Sequence, residues 1–348
     1  PGFLERYRLQ AAAIAVREWL ERSGSSGTVR VYGTPAEEGG AGKVYMVRDG
    51  LFADVDIALH WHPGDRNDAS PGQSLANKSA KFRFRGVSAH AAAAPDRGRS
   101  ALDGVEAMND MVNLMREHVP QETRIHYVIT NGGAAPNVVP DFAEVYYYVR
   151  HPNPTVVSSL FDRVVRASEG AAMGTDTTVE HEVIHGLYAL LPNDTLARAM
   201  DRNLREVGGV SYEGDERAFA ESIRQSFDAG APPLARAADI EPFEMKDAGG
   251  STDVADVSWV VPTAGVRVAT WVPGTPGHSW QAIAAGGTSI GIKGMMNAAR
   301  TLTLTAIDLF TDPTLIAEAT AEYKKRVGPD FVYRPLVGNR PPPLDYRK

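Results

Sequence analysis

Apolar residues follow two different patterns along the chain, and these predict two kinds of sheet. Thr28–Gly33 and Val55–His62 are short, mostly apolar runs, and a short helix around Lys43–Val47 lies between them. Apolar strands that alternate with helices are typical of a parallel sheet that is covered on both faces. The first part of the chain therefore predicts an α/β layer, preceded by an amphipathic helix over residues 8–22.

Between residues 77 and 190 the predicted strands become half polar and their order changes. The pattern predicts Lys81–Val87, Ser100–Val119, Arg124–Thr130, Glu144–Arg150, Pro154–Ala171 and Thr177–Gly186 in the order β-α-β-β-α-β. This order is the signature of a ferredoxin-like sandwich, which leaves one face of its sheet open.

The α/β pattern resumes after this module. The later elements are a predicted strand, Gly265–Trp271, and the predicted helices Asn193–Val207, Gly214–Phe227, Gly286–Phe310 and Pro313–Val327. We therefore predict an α/β domain formed by residues 1–76 and 191–348. The ferredoxin-like module is an insertion at residues 77–190.

Composition and charge exclude several classes of protein. The chain has 36 Lys and Arg against 43 Asp and Glu, a net charge of -7, so it lacks the basic surface of a nucleic-acid-binding protein. The absence of cysteine excludes disulfides, iron–sulfur clusters and thiol nucleophiles. No apolar run reaches the ~18 residues that a membrane span requires. Charges interrupt Pro1–Arg6, where a secretory signal would be apolar, so we expect a cytoplasmic protein.

Two adjacent carboxylates follow the first predicted parallel strand. Glu37 and Glu38 precede two glycines, and His62 ends the next predicted strand. Because open α/β sheets bind ligands beyond the carboxyl ends of their strands, we expect these side chains at one edge. Carboxylate and imidazole groups suit zinc, manganese or cobalt. A solvated acidic turn is the simpler interpretation of the glutamate pair alone.

Two glycine-rich segments later in the chain add candidates. Gly274–Ser279 presents His278 between a strand and a helix, and His278 would complete a Glu/His/His set. Gly249–Asp253 is followed by Asp256, for which a capped helix start is the simpler alternative. His60 would share a strand face with His62 and ranks second to it.

Five segments resemble the di-metal amidohydrolases of the aminoacylase and carboxypeptidase type. They are GTPAEEGG at 33–40, WHP at 61–63, SAHAA at 88–92, GSTDV at 250–254 and GTPGHS at 274–279. The resemblance implies a parallel-sheet catalytic domain and an inserted module that carries the contact of a homodimer. It also implies hydrolysis of the amide bond of N-acyl or N-aroyl amino acids of the aminobenzoyl-glutamate type.

The same resemblance assigns roles to the residues at the sheet edge. Glu37 would be the general base that takes a proton from metal-bound water. Glu38, His62 and His278 would bind the metal, zinc or manganese.

In the inserted module, His90 would reach the partner subunit's site and stabilise the tetrahedral oxyanion. Asn137 would bind substrate from the same module. Arg150 could bind a substrate carboxylate bidentately, and a structural ion pair is an equal alternative.

One part of the family pattern has no counterpart in the sequence. A Gly-Cys-Gly-His-Asn motif should precede the first helix, where Pro1–Gln10 holds no histidine, aspartate or cysteine. Two metals need roughly seven or eight ligand positions, so three matched ligands predict one weakly held metal at best. We therefore expect an enzyme chain truncated at its N-terminus, whose site another related subunit could complete.

Two other classes remain as alternatives. One is a catalytically inactive dimeric binding protein that keeps the substrate-binding module without the metal centre. The other is a nucleotide-binding α/β protein. We disfavour the second because no G-x-G-x-x-G follows a strand.

Overall fold

The computed structural model describes residues 2–227, 230–246 and 250–344, with side chains from Gln10 onward. Its strands form a two-stranded parallel sheet and a four-stranded antiparallel sheet. The strands are β1 (Ala58–Gly64), β2 (Ala76–Arg85), β3 (Arg124–Asn131), β4 (Phe142–His151), β5 (Thr178–Leu187) and β6 (Thr263–Ala269). The predicted combination of a parallel-sheet layer with an inserted antiparallel module is confirmed.

Ten α-helices occur in the part of the chain that the structure describes. They are α1 (Gly2–Ser23), α2 (Gly42–Arg48), α3 (Ala101–Met115), α4 (Pro154–Gly174), α5 (Asp194–Val207), α6 (Gly214–Arg224), α7 (Val254–Ser258), α8 (Trp280–Gly286), α9 (Ser289–Thr311) and α10 (Pro313–Val327). Among these described residues, no helix combines the length and apolar character that a membrane span requires.

The parallel sheet pairs β1 with β6, so both strands end at the same edge. Helix α9 packs on β6 and also contacts α1 and α5. Gly294 permits this close approach, because a Cβ there would lie 2.1 Å from the carbonyl oxygen of Ala269. The core beneath is apolar, with Leu196, Met200 and Val268 fully buried.

The prediction of a strand at Thr28–Gly33 is wrong. The segment is irregular, since none of the described strands pairs with it to satisfy its N–H and C=O groups. Side chains hold it instead: the Arg30 guanidinium binds both carboxylate oxygens of Asp54 at 2.5 Å, and the Tyr32 hydroxyl donates to the carbonyl of Leu51 at 2.8 Å. Apolar runs predict burial, but they do not show whether a partner strand lies alongside.

The inserted module has the predicted β-α-β-β-α-β order. Its strands lie in the spatial order β3-β4-β2-β5, and α3 and α4 cover one face. The alternation along the strands explains this packing, since every second residue of β4 from Ala143 to Val149 is buried. Phe82, Tyr147 and Met108 are fully buried in the core between sheet and helices. The opposite face of the sheet carries the polar side chains.

Candidate metal and catalytic site

The Glu37–Glu38 pair lies in a tight turn that leads into α2. The amide of Gly39 donates to the carbonyl of Glu37 at 2.9 Å, and Gly40 closes the turn onto Ala36 at 3.0 Å. The turn gives the two carboxylates different surroundings, because Glu37 is half-buried and Glu38 is exposed. The adjacent carboxylates of Glu37 and Glu38 can therefore have different chemical roles.

Glu38 and His278 come together although they are far apart in the sequence. The Nδ1 atom of His278 lies 3.7 Å from Oε1 of Glu38, and both side chains are largely exposed. The loop after β6 presents His278 in a left-handed conformation, with φ of 57°. Ser279 then begins α8 by accepting a hydrogen bond from the amide of Ala282 at 3.2 Å. The contact brings two of the predicted metal ligands to one place.

His62 lies near the end of β1, at the sheet edge where β6 also ends. Its side chain is exposed, and its Nδ1 atom lies 2.6 Å from the carbonyl oxygen of Pro63. With the proton on Nδ1, the ring donates to that carbonyl. Histidines that bind metals usually make a hydrogen bond of this kind with their other ring nitrogen.

The donor set fits a divalent metal only in part. Two metal–ligand bonds of about 2.0–2.2 Å can span the separation of Glu38 and His278, so this pair fits two positions around one ion. Among the described residues, however, no group of three or more histidine, aspartate or glutamate side chains is arranged to hold a metal ion. The chain therefore presents a partial metal site.

The surroundings of Glu37 raise the pKa of its carboxyl. Burial is the largest cause, and the negative charges of Asp253 and Glu38 add to it. A hydrogen bond with Thr252 and the charge of Lys43 act in the opposite direction. A carboxylate whose pKa is raised towards the working pH is a better proton acceptor, as general base catalysis requires.

A buried ion pair lies behind Glu37. The ammonium of Lys43 binds Oδ1 of Asp253 at 2.7 Å, and the backbone amide of Lys43 donates to Oδ2 at 3.0 Å. The Asp253 side chain is 0% exposed and that of Lys43 is 13% exposed. Asp253 stands at the N-cap of α7 but makes no capping bond, so the capped-helix alternative fails there. Gly249, in the same predicted loop, lies outside the described residues.

The pairing of Lys43 with Asp253 was not predicted from the sequence. A lysine in the first turn of a helix, directly after the glutamate pair, was the available signal. Asp256, also fully buried, binds the Tyr333 hydroxyl at 2.7 Å and the Tyr188 amide at 3.0 Å. Burial raises the pKa of Asp256 to about 7. The bond with Tyr333 attaches the C-terminal segment to α7.

His60 is a packed residue rather than an accessible ligand. Its Nε2 lies 2.2 Å from where a Cβ of Gly265 would be, so the imidazole lies against the backbone of β6. Burial, followed by the charges of His62 and Lys43, lowers the pKa of His60 to about 3. This packing agrees with its ranking behind His62.

In the inserted module, His90 and Asn137 are neighbours. His90 forms a bridge with Val138, and the Ala91 amide donates to the carbonyl of Asn137 at 3.0 Å. The Nδ1 atom of His90 accepts from the amide of Ala93 at 3.1 Å, so its proton resides on Nε2. Both side chains are exposed. His90 thus offers an outward-facing donor, which is what an oxyanion requires.

Arg150 lies at the opposite end of β4 from Asn137. At ~3.4 Å per residue, the strand from Phe142 to Arg150 spans about 27 Å. Arg150 forms no ion pair with any carboxylate of the described residues. The structural ion pair that was the alternative role for Arg150 is therefore absent from this part of the chain. Its guanidinium lies 5.3 Å from the centre of the Tyr148 ring. The structure thus separates the two predicted substrate-binding residues.

Comparisons with known proteins agree with this architecture. Residues 76–176 match the family described as the peptidase dimerisation domain, which corresponds to the inserted module. The chain is 41% identical to the B subunit of p-aminobenzoyl-glutamate hydrolase from Escherichia coli, over 96% of this chain and 75% of that protein.

Solved structures show the same fold. The aminobenzoyl-glutamate utilization protein of Klebsiella pneumoniae matches with a TM-score of 0.60 at 20% identity, over 85% of this chain and 66% of that chain. The YXEP protein of Bacillus subtilis, described as a dinuclear metal binding peptidase of the M20 family, matches with a TM-score of 0.51 at 15% identity. That match covers 86% of this chain and 70% of that one.

Proposed function

Because the chain belongs to the M20 peptidase family, whose named members are hydrolases, we propose that it cleaves the amide bond of N-acyl or N-aroyl amino acids. Aminobenzoyl-glutamate-like compounds are the proposed substrates, in line with the name of the 41% identical relative. The observation that carries the proposal is the contact of Glu38 with His278 beside the half-buried Glu37.

Glu38 and His278 are the proposed ligands of one divalent ion, zinc or manganese. His62 is the proposed third ligand, although it does not form a group of three with them among the described residues. When bound, such an ion lowers the pKa of a water and polarises an amide carbonyl. The position of His62 supports this set, because a ring that donates from Nδ1 to the Pro63 carbonyl makes the backbone hydrogen bond that metal-binding histidines usually make. The ion's own positive charge would also offset the repulsion between the two adjacent glutamates.

Glu37 is the proposed general base. It accepts a proton from water as the water oxygen bonds to the amide carbon, and it returns that proton to the nitrogen as the C–N bond breaks. The products are a carboxylic acid and an amino acid. Its half-buried position beside Asp253 supports this role, because both raise the pKa of its carboxyl.

His90 and Asn137 are proposed to act at the site of a partner subunit. The ~27 Å between the two ends of β4 is longer than one small substrate, so these residues and Arg150 cannot bind the same molecule within one chain. A homodimer through the inserted module, residues 77–190, would supply both ends to each site. A second related subunit could do the same, since the 41% identical relative is named as one subunit of a hydrolase.

The proposed dimer surface is the exposed apolar strip on α3 and β3. Leu114 is 67% exposed and Val128 55% exposed, and β3 is an edge strand with a partner on one side only. We expect Leu114→Glu to shift the protein from dimer to monomer in sedimentation velocity. Met173→Glu, at an 85% exposed position on α4, is the matched control and should stay dimeric. If Leu114→Glu forms a dimer as stable as that of the wild type, the dimer contact lies elsewhere.

A second candidate function is an inactive binding protein of the same family. The partial donor set favours it, since two bridging side chains hold a metal weakly. One experiment separates the two functions: hydrolysis of N-(4-aminobenzoyl)-L-glutamate by the purified chain with added zinc or manganese, before and after chelation. Turnover that chelation abolishes supports the hydrolase, and binding without turnover supports the alternative.

A further inference from the structure

The segment that follows α10 crosses from the α/β domain to the inserted module, and the proposed reaction does not use it. The described residues 328–344 form no helix or strand. We call residues 331–340 the C-terminal strap. Its first half lies on α7 of the α/β domain, and its second half lies on β5 of the module, so the strap connects the two.

An aromatic and polar anchor holds the first half of the strap. The Tyr333 hydroxyl donates to the fully buried carboxylate of Asp256 on α7 at 2.7 Å. The rings of Phe331 and Trp259 lie 4.8 Å apart, centre to centre. Hydrogen bonds to charged, buried groups are among the stronger ones in proteins, so this end is firmly attached to the α/β domain.

The middle of the strap lies directly on β5. A Cβ at Gly186 would lie 2.6 Å from the Cβ of Leu336, so the approach requires a glycine in the strand. Val337 is 5% exposed and forms a buried apolar cluster with Leu187 of β5 and Val44 of α2. One side chain of the strap therefore packs on both the module and the helix that follows the glutamate pair.

Arg340 makes the same connection with polar groups. Its guanidinium donates to the carbonyl oxygens of Val183 and Ile184 on β5, to the second of them at 2.8 Å. Its own carbonyl accepts from the Arg48 guanidinium of α2 at 2.7 Å. β5 is an edge strand, and its register with β2 skips Ile184, as in a bulge. Arg340 thus binds β5 where the ladder is irregular.

The covalent connections between module and α/β domain lie side by side. β2 and β5 are the first and last strands of the module, and Asn77 pairs with Leu187. The amide of Leu190 donates to the Ser74 hydroxyl at 2.8 Å, which keeps the two connections together. Adjacent connections form a hinge, and relative motion of domains is the default expectation. Ile184, which the strap binds, lies about 10 Å along β5 from Leu187, so the strap restricts rotation about that hinge.

We propose that the C-terminal strap holds the inserted module in one orientation relative to the Glu37–Glu38 turn, with Arg340 as the positioning residue. The strap acts on the site through α2, which begins just after the two glutamates. In a dimer joined through the modules, this orientation also sets the position of one chain's His90 relative to the other chain's Glu37. The consequence for catalysis rests on the proposed function, whereas the orientation itself does not.

Distances between two spin labels measure the orientation without substrate. The chain has no cysteine, so Met173→Cys on α4 and Glu318→Cys on α10, both at exposed positions, supply the only labelling sites. An excess of unlabelled chains restricts the measurement to distances within one chain. We expect a narrow distance distribution with the native strap and a broader or shifted one in Arg340→Met.

Arg205→Met is the matched control for this measurement. The Arg205 guanidinium also binds a carboxylate and a backbone carbonyl, those of Asp201 and Glu241, and both partners lie in the α/β domain. The distribution should therefore stay narrow in Arg205→Met.

Gly186→Ala displaces the strap from the side of the module. Its added methyl group would overlap Leu336, so the strap has to move while Arg340 is retained. This variant should broaden the distribution as Arg340→Met does. A distribution that stays narrow in both variants, or that is already broad with the native strap, would overturn the proposal.

Steady-state kinetics test whether the orientation matters for the reaction. If one orientation binds substrate, Arg340→Met should raise KM for N-(4-aminobenzoyl)-L-glutamate by about 10-fold and leave kcat nearly unchanged, because saturating substrate restores that orientation. Arg340→Lys keeps the charge and should recover part of the lost affinity. A lower kcat at an unchanged KM would indicate loss of folded enzyme and contradict the positioning role.

Failure of this proposal can be told apart from failure of the proposed function. A distance distribution that depends on Arg340, in a chain that does not hydrolyse the substrate, would support the strap and overturn the hydrolase. Hydrolysis with the same KM and the same distribution in wild type and Arg340→Met would do the opposite.

Discussion

Replacement of Glu37 by glutamine is expected to lower kcat for N-(4-aminobenzoyl)-L-glutamate by about 10²- to 10⁴-fold, the usual contribution of a general base. Glutamine has the same shape and can keep the hydrogen bond with Thr252. It cannot accept the proton, so the chemical step should fail while KM changes little. The fluorescence of released 4-aminobenzoate measures the rate.

Zinc affinity distinguishes the proposed role of Glu37 as a general base from the proposed role of Glu38 as a metal ligand. Glu37→Gln should still bind zinc at one site with at most a modest loss of affinity, because it keeps every proposed ligand and removes only a neighbouring negative charge. Glu21→Gln, on the exposed face of α1, is the control and should keep full activity. More than a tenth of wild-type kcat in Glu37→Gln would contradict the assignment of the base.

Replacement of Lys43 by methionine is expected to destabilise the chain by about 3–5 kcal/mol, because it leaves the buried Asp253 carboxylate without its cation. The carboxylate is 0% exposed, so water cannot replace the ammonium. Urea unfolding followed by circular dichroism should show a lower midpoint. Activity should fall with it, since Lys43 and Asp253 both act on the charge of Glu37.

The double variant Lys43→Met with Asp253→Asn should recover much of the lost stability. The amide is uncharged, and its oxygen can still accept from the backbone N–H of residue 43, a bond of 3.0 Å in the wild type. The control is Arg17→Met, which breaks an exposed pair with Glu21 and should cost less than about 1 kcal/mol. A Lys43→Met variant as stable as the wild type would contradict the contribution of this ion pair to stability.

The inserted module was predictable because each of its strands and helices can be recognised from its own residues. Each strand alternates polar and apolar residues, and the helices carry apolar stripes, so the order of elements gives the topology. The same logic failed at Thr28–Gly33, where the apolar pattern is present but none of the described strands pairs with it. A strand requires a partner strand, and the residues of the segment itself do not show whether one lies beside it.

The part of the candidate site that follows from the sheet topology was predictable. Parallel strands end at one edge, so His62 and the loop that carries His278 belong together. The pair Lys43–Asp253 joins residues far apart in the sequence without a recognisable motif, and it was not predicted. Asn137 and Arg150 were predicted to share one role, but the length of β4 separates them.

The central claim is that Glu38 and His278 hold a divalent ion beside Glu37, and a zinc titration by calorimetry tests it most directly. The wild type is predicted to bind zinc at one site, and the Glu38→Ala, His278→Ala double variant is predicted to lose that binding. A matched double variant at exposed positions, Glu21→Ala with His118→Ala, should titrate like the wild type. Zinc binding that survives the loss of Glu38 and His278 would contradict the account.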